Sequence, residues 1–204
     1  MTAVGQLGSP ARWHLYHLVS RLFVTEVDIA LYDSILTHPE MEALFLPKGS
    51  SPARELLPEK AVEVMAVEFC RLFVGPRPVC PPYASVQRGE ALVGGRSARL
   101  LEEFMEARQL RLDALGRLPV LAADHLSIEL ALLALLYDYS AAGMALDDED
   151  PMTSVRTLLQ DHLLPWAPEY LSMLVAYAPM PPYQGLARLT LALLEEEREL
   201  HSLA

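Results

Sequence analysis

Apolar residues along this chain recur at intervals of three and four, and alternating runs of useful length are absent, so the pattern predicts helices throughout and no sheet. From Trp13 to about Thr37 the stripe is Leu15, Leu18, Leu22, Val27 and Leu31, interrupted near Thr25 and Glu26, which fits two helices or one kinked helix. His38-Pro39 and the stretch from Leu46 to Pro52 bracket a short helix and a surface loop. Pro58 suits the first turn of the next helix, whose buried stripe is Val62, Met65, Phe69, Leu72 and Phe73. That helix stops at Gly75-Pro76, and Pro78, Pro81 and Pro82 forbid its resumption, because proline lacks the amide donor and clashes with the preceding turn.

Glycines 89, 94 and 95 make the segment from Gln87 to Arg96 a joint and a candidate hinge near 87–96. Ser97 is placed to cap a helix to about Gln109, with Leu100, Leu101, Phe104 and Met105 facing inward. A short segment to Leu115 and a loop from Gly116 to Ala123 lead to Asp124, which is placed to begin a long helix reaching about Ala142 with the stripe Leu126, Leu130, Leu133 and Tyr137. Asp150-Pro151 reads as a cap and first-turn proline for a helix to about Leu164. Proline corners at 165–168 and 179–182 then set off a helix over 169–178 and a last one from Tyr183 to about Leu200. The expected fold is all-α, a single globular multi-helix domain over 1–204 with proline-rich connecting loops, and not a coiled coil.

Composition narrows what such a domain can do. The 204 residues are 52% hydrophobic, yet no apolar run reaches the ~20 residues needed to cross a bilayer, since Leu126 to Leu146 carries Glu129 and Asp138. Arg21, Glu26 and Asp28 interrupt the first apolar segment, so no secretory signal is read there and a cytoplasmic location is expected. The formal net charge is -11; residues 1–100 hold ten basic and ten acidic side chains, and residues 101–204 hold six and seventeen. This field repels nucleic acid and anionic lipid and favours a basic peptide. Two cysteines make no disulfide framework; Cys70 reads as core and Cys80 as a small apolar side chain in the proline loop.

Catalytic and cofactor signatures are missing: there is no phosphate-binding glycine loop, no nucleophile elbow and no paired-cysteine motif. No cofactor and no metal are expected, because His14 and His17 have no clustered third ligand. Asp124, His125 and Ser127 cannot form a relayed triad, since near-adjacent helical residues point apart.

Three strings remain. Glu68 to Val86 reads EFCRLFVGPRPVCPPYASV, with Glu68, Arg71, Gly75, Pro76, Pro81 and Pro82 as its fixed framework and Tyr83 and Ser85 presented from a stiff backbone. Asp124 to Leu130 reads DHLSIEL, in which Asp124, His125 and Glu129 converge at a helix start as a compact acidic pocket. The third, His162 to Pro168 with Pro182-Tyr183, contributes Trp166 and Tyr183, aromatics assigned to the scaffold. In this order the three strings resemble the TorD/DmsD/NarJ family, cytoplasmic chaperones that attend molybdoenzymes before export or membrane assembly. Leu121-Ala122-Ala123 departs from the family pattern, which places acid and prolines there.

The resemblance implies a chaperone, not an enzyme, that binds a molybdoenzyme catalytic subunit at its twin-arginine leader peptide and assists cofactor insertion before export. Such a leader joins a basic pair to an apolar stretch. Asp124 and Glu129 would then attract the arginines, His125 would orient the peptide, and Tyr83 with Pro81-Pro82 would support apolar contact. Two alternatives stand beside it: an assembly factor of the NarJ branch that binds a folded subunit without a leader, and a small helical hydrolase or nucleotide-using enzyme centred on Asp124, His125 and Glu129. Monomer and domain-swapped dimer both stay open.

Overall fold

The computed structural model describes residues 9–45, 56–111, 120, 122–146 and 149–203. Within them the chain is all-α, and the only extended pairings are two isolated bridges, Tyr83 with His125 and Leu146 with Glu149. The helices are α1 (Ser9–Val24), α2 (Ile29–Thr37), α3 (Pro39–Phe45), α4 (Pro58–Phe69), α5 (Ala84–Gln87), α6 (Arg96–Glu106), α7 (Leu126–Ala141), α8 (Pro151–Thr157), α9 (Ala167–Tyr177) and α10 (Pro181–Leu200). α4 and α8 each run on as a π-helical segment, Cys70–Val74 and Leu158–Leu163.

The chain divides into two compact units. The first comprises Met1–Val24, Pro82–Pro168 and Ala192–Ala204, and α7 is its axis. α7 is buried around its whole circumference from Leu126 to Ala134, which a single stripe at 126, 130, 133 and 137 did not anticipate. Ile128, Ala131 and Leu132 close the gaps between stripe positions, and a helix that is apolar on every side belongs inside. α1 packs along α7, and the Ser20 hydroxyl donates to the Ser127 carbonyl at 2.7 Å. A buried polar knot ties the same unit: the Tyr16 and Tyr137 hydroxyls donate to the two oxygens of Glu197 on α10.

The second unit comprises Thr25–Pro81 and Glu169–Leu191. The break near Thr25 makes two helices, and Asp28 caps α2 by accepting from the Leu31 amide at 2.8 Å. Phe73 lies between Phe69 and Tyr183 in edge-on ring contacts of 5.2 and 5.8 Å, and the Tyr183 hydroxyl donates to the Met65 carbonyl at 2.7 Å. The π-helical widening ends where the Gly75 amide donates to the Cys70 carbonyl at 2.7 Å. A Cβ on Gly75 would stand 2.8 Å from that same carbonyl oxygen, so the position has no room for a side chain. Gly75→Ala is expected to cost about 1–3 kcal/mol through this overpacking, read as a fall in melting temperature of roughly 3–8 °C.

Several sequence expectations need correction. Cys70 is exposed, because it stands on the outer side of the widened turn and not in the core. Leu100 is 38% exposed; α6 buries Ala98, Leu101, Phe104 and Met105 instead. Ser97 lies inside α6 and does not cap it. α7 starts at Leu126 with His125 as its cap, so Asp124 is not the helix start. Asp150 does cap α8, accepting from the Met152 amide, with Pro151 in the first turn. The expected loop at 46–52, the short segment to Leu115 and Leu121 lie outside the described residues. The glycine-rich stretch 87–96 falls within the first unit, where the Gly94 amide donates to the Ser85 hydroxyl and Ser97 donates to Glu90.

Candidate functional site

Proline spacing leaves residues 81–83 extended up to the start of α5, and extended backbone needs partners for its amides and carbonyls. They come from the segment entering α7. The Leu126 amide donates to the Pro82 carbonyl at 2.9 Å and the Ala84 amide to the Asp124 carbonyl at 3.0 Å, which makes the short antiparallel bridge between Tyr83 and His125. Their rings meet edge to face at 4.7 Å. One side chain completes the clamp: Asp124 Oδ2 accepts from the Ser85 amide at 2.7 Å. A carboxylate accepting at the first turn of α5 supplies what a helix start lacks.

The structure therefore brings Tyr83, Ser85, Asp124 and His125 into direct contact, with Glu129 one turn along α7 in the same unit. All five are buried: Asp124 is 0% exposed, Glu129 2% and His125 4%. The compact acidic pocket expected at this helix start is therefore a buried one. Burial, reinforced by the neighbouring Asp124 charge, pushes the Glu129 carboxyl up to about 8, so it keeps its proton at neutral pH; one hydrogen bond, donated by Trp166 Nε1 at 3.1 Å, pulls the other way. Asp124 Oδ1 is buried and has no hydrogen-bond partner among the described residues.

His125 has turned back on its own helix. Its Nδ1 accepts from the Ser127 amide at 3.1 Å and lies 2.6 Å from the Ser127 hydroxyl, so in the neutral ring Nε2 carries the proton. Burial lowers its pKa to about 3, leaving it uncharged.

The signature residues Glu68, Arg71, Gly75, Pro76 and Pro81 belong to the second unit, and Pro82 to the first. Arg71 Nε and Nη2 donate to the two oxygens of the buried Glu68 at 2.8 and 2.7 Å, and Nη2 also donates to the Tyr177 carbonyl at 3.1 Å. The Arg71 carbonyl accepts from the Val79 amide and the Leu72 carbonyl from the Cys80 amide. The pair thus anchors the proline loop and the end of α9. Cys80 is buried with its carbonyl bonded to the Tyr170 hydroxyl, and burial pushes its thiol up, the mark of an inert cysteine. Among the described residues no group of three or more His, Cys, Asp or Glu is arranged to hold a metal.

Two residues of this site escaped the sequence reading. Trp166 was assigned to the scaffold, and it is buried, but it also supplies a hydrogen bond to Glu129. Arg88, exposed at the end of α5, exerts its charge on Glu129. An acid in the fully buried first half of α7 signals that some buried donor must exist, but not which one.

The site is thus a proline-fixed loop clamped by the segment that enters α7 in an all-α chain. Residues 46–172 match the model of the nitrate reductase delta subunit family, and the chain belongs to that family, the TorD/DmsD/NarJ group. It is 27% identical over 207 residues to the chaperone protein TorD of Vibrio cholerae serotype O1, covering 92% of this chain and 90% of that one. It is also 30% identical over 147 residues to the Tat proofreading chaperone DmsD of Salmonella typhi, covering 70% and 66%. The chaperone protein YcdY of Escherichia coli K12 is 29% identical over 126 residues, covering 62% and 59%.

Proposed function

We propose that this chain is a chaperone that binds the catalytic subunit of a molybdoenzyme through the twin-arginine leader of that subunit and assists its assembly before export, working in the cytoplasm without catalysing a reaction. The observation that carries this is Asp124 Oδ1, a buried carboxylate oxygen with no donor of its own, beside a loop that the other oxygen holds. An uncompensated buried acceptor costs about 1–3 kcal/mol, which a guanidinium reaching it would recover as charge-assisted hydrogen bonding. Oδ1 is covered, so capture requires the client to displace its cover, and the neutral Glu129 beside it gives a second acceptor once deprotonated.

The relatives support the chaperone role, since two carry it in a name of the form chaperone protein and one is a Tat proofreading chaperone. Against the hydrolase alternative, the His125 nitrogen that accepts hydrogen bonds is occupied by Ser127, and Asp124 is engaged with Ser85, so no relay joins them. Among the described residues no helix is long and apolar enough to cross a membrane.

The test is a calorimetric titration with a synthetic peptide bearing an Arg-Arg pair followed by an apolar stretch. Replacing both arginines by glutamine is expected to weaken binding at least about 30-fold, which is roughly 2 kcal/mol. Raising salt from low to physiological levels should weaken the parent peptide further. Binding of the leaderless subunit with no binding of the peptide would instead select the assembly-factor alternative.

A further inference from the structure

The exposed charges of α6 run against its dipole. Arg96 and Arg99 stand in the first turn and Glu103 and Glu106 in the last, whereas a helix favours acids at its N-terminus and bases at its C-terminus. Glu90 meets the start of the helix from the loop, accepting from the Ser97 amide at 3.1 Å, and the two arginines remain exposed. None of the four closes an ion pair among the described residues, and the one pairing within reach along the helix, Arg99 to Glu103, has the less favourable order of base before acid. The four positions are three, four and three residues apart, so they share one face, while Ala98, Leu101, Phe104 and Met105 are buried. Apolar surface accompanies them. Leu100 is 38% exposed, and the loop feeding α6 displays Leu92 at 75% and Val93 at 45%. Hydrogen bonds pin that loop: the Glu90 amide donates to the Ser85 carbonyl at 2.9 Å and the Gly94 amide to the Ser85 hydroxyl at 3.3 Å. A Cβ on Gly95 would stand 3.2 Å from the Leu92 carbonyl, which places Leu92 against the start of α6.

We infer that this face of α6 pairs with the same face of a second copy of the chain, the two helices running antiparallel about a two-fold axis near Leu101. A two-fold interface sets one patch against itself, so it is complementary only when the charges at one end oppose those at the other. Here they do. Arg96 meets the partner's Glu106 and Arg99 the partner's Glu103, and the symmetry makes each contact twice. The dipole mismatch is relieved in the same step, because each pair of arginines then lies against the C-terminal end of the partner helix, where a base is favoured. Leu100 sits beside the axis, and Leu92 and Val93 extend the apolar contact at each end of the pair. A partner of one charge sign would satisfy half of this face and be repelled by the other half, and an anionic lipid surface would meet Glu103 and Glu106 as repulsion. A second copy running antiparallel satisfies both halves at once.

The pairing is independent of the leader-binding reading, and no peptide enters its test. Sedimentation equilibrium of the full chain at low salt, up to about 0.5 mM protein, is expected to show a mass that rises from one chain toward two, with association weakening about tenfold or more at high salt. Two charge reversals carry the decision. Arg96→Glu with Arg99→Glu makes the face acidic throughout, and Glu103→Arg with Glu106→Arg makes it basic throughout, so each variant sets like charges face to face and is expected to stay single where the parent pairs. Both reversals place charge in the sense the helix dipole favours, and circular dichroism of each variant checks that the fold is kept. Mixed in equal amounts, the two variants are expected to pair with each other. A parent chain that stays single throughout the range overturns the proposal. So does association that survives both reversals, as that of a domain-swapped dimer would, or a mixture of folded variants that fails to pair.

Discussion

Glu129→Gln is expected to leave stability unchanged near pH 4.5 and to raise it progressively above that, by about 2–4 kcal/mol at pH 8.5. The folded chain holds the Glu129 proton up to about pH 8, against an ordinary value of 4.5, so between those two pH values the folded state binds more protons than the unfolded one. Stability from this group is therefore fully present below pH 4.5 and is lost as pH rises toward 8. Glutamine cannot ionise, and its carbonyl can still accept from Trp166, so the variant escapes the loss. His125 has the opposite sign. Its folded value is depressed to about 3 from 6.5, so its contribution is present above pH 6.5 and is lost as pH falls toward 3. The two slopes cancel between pH 4.5 and 6.5, where these two groups together leave stability flat. Urea unfolding midpoints across pH 4 to 9 check this. A variant that tracks the parent at every pH would show that Glu129 is not held protonated.

Most of the fold was legible because its punctuation is chemical. Pro58, Asp150 and Pro151 mark helix starts by mechanisms that act within one turn, and each stands where that local chemistry puts it. Errors arose where tertiary context decides. Leu100 looks as apolar as Leu101 in sequence, and only the neighbours of α6 determine which of them is covered. Cys70 follows a helical period that the π-helical widening breaks, and no residue pattern announces the extra residue in that turn. Asp124 preceded a helix and had the chemistry of a cap, yet a backbone amide 39 residues away competed for its oxygen and took it. His125 then served as the cap.

The same distinction governs the site. That Tyr83, Ser85, Asp124, His125 and Glu129 belong together was readable from their strings, and the bridge between 83 and 125 joins them. Their charge state was not. Charge depends on burial, and burial depends on how α7 is packed on all sides, which a stripe of four leucine-like positions understates. Trp166 shows the converse: a large aromatic is assigned to a core by size alone, whereas its single polar atom determines which acid it serves.

Asp124→Asn is the substitution that separates the scaffold from the client site. Asparagine keeps an oxygen for the Ser85 amide, so the loop clamp survives, but it places an NH2 donor where Oδ1 stands. A guanidinium would then meet a donor in place of an acceptor, and the charge that attracts it is gone. Binding of the Arg-Arg peptide is expected to fall about 30-fold to 100-fold, roughly 2–3 kcal/mol, while urea unfolding stays within about 1 kcal/mol of the parent. Asp124→Ala differs in kind: it removes the Ser85 acceptor as well, so a buried amide loses its partner and stability should drop by about 1–3 kcal/mol. The pair of variants divides the two roles of one side chain. If Asp124→Asn bound the peptide as tightly as the parent with its fold intact, Asp124 would be a loop clamp alone, and the cation would have to be captured elsewhere on the acidic half of the chain.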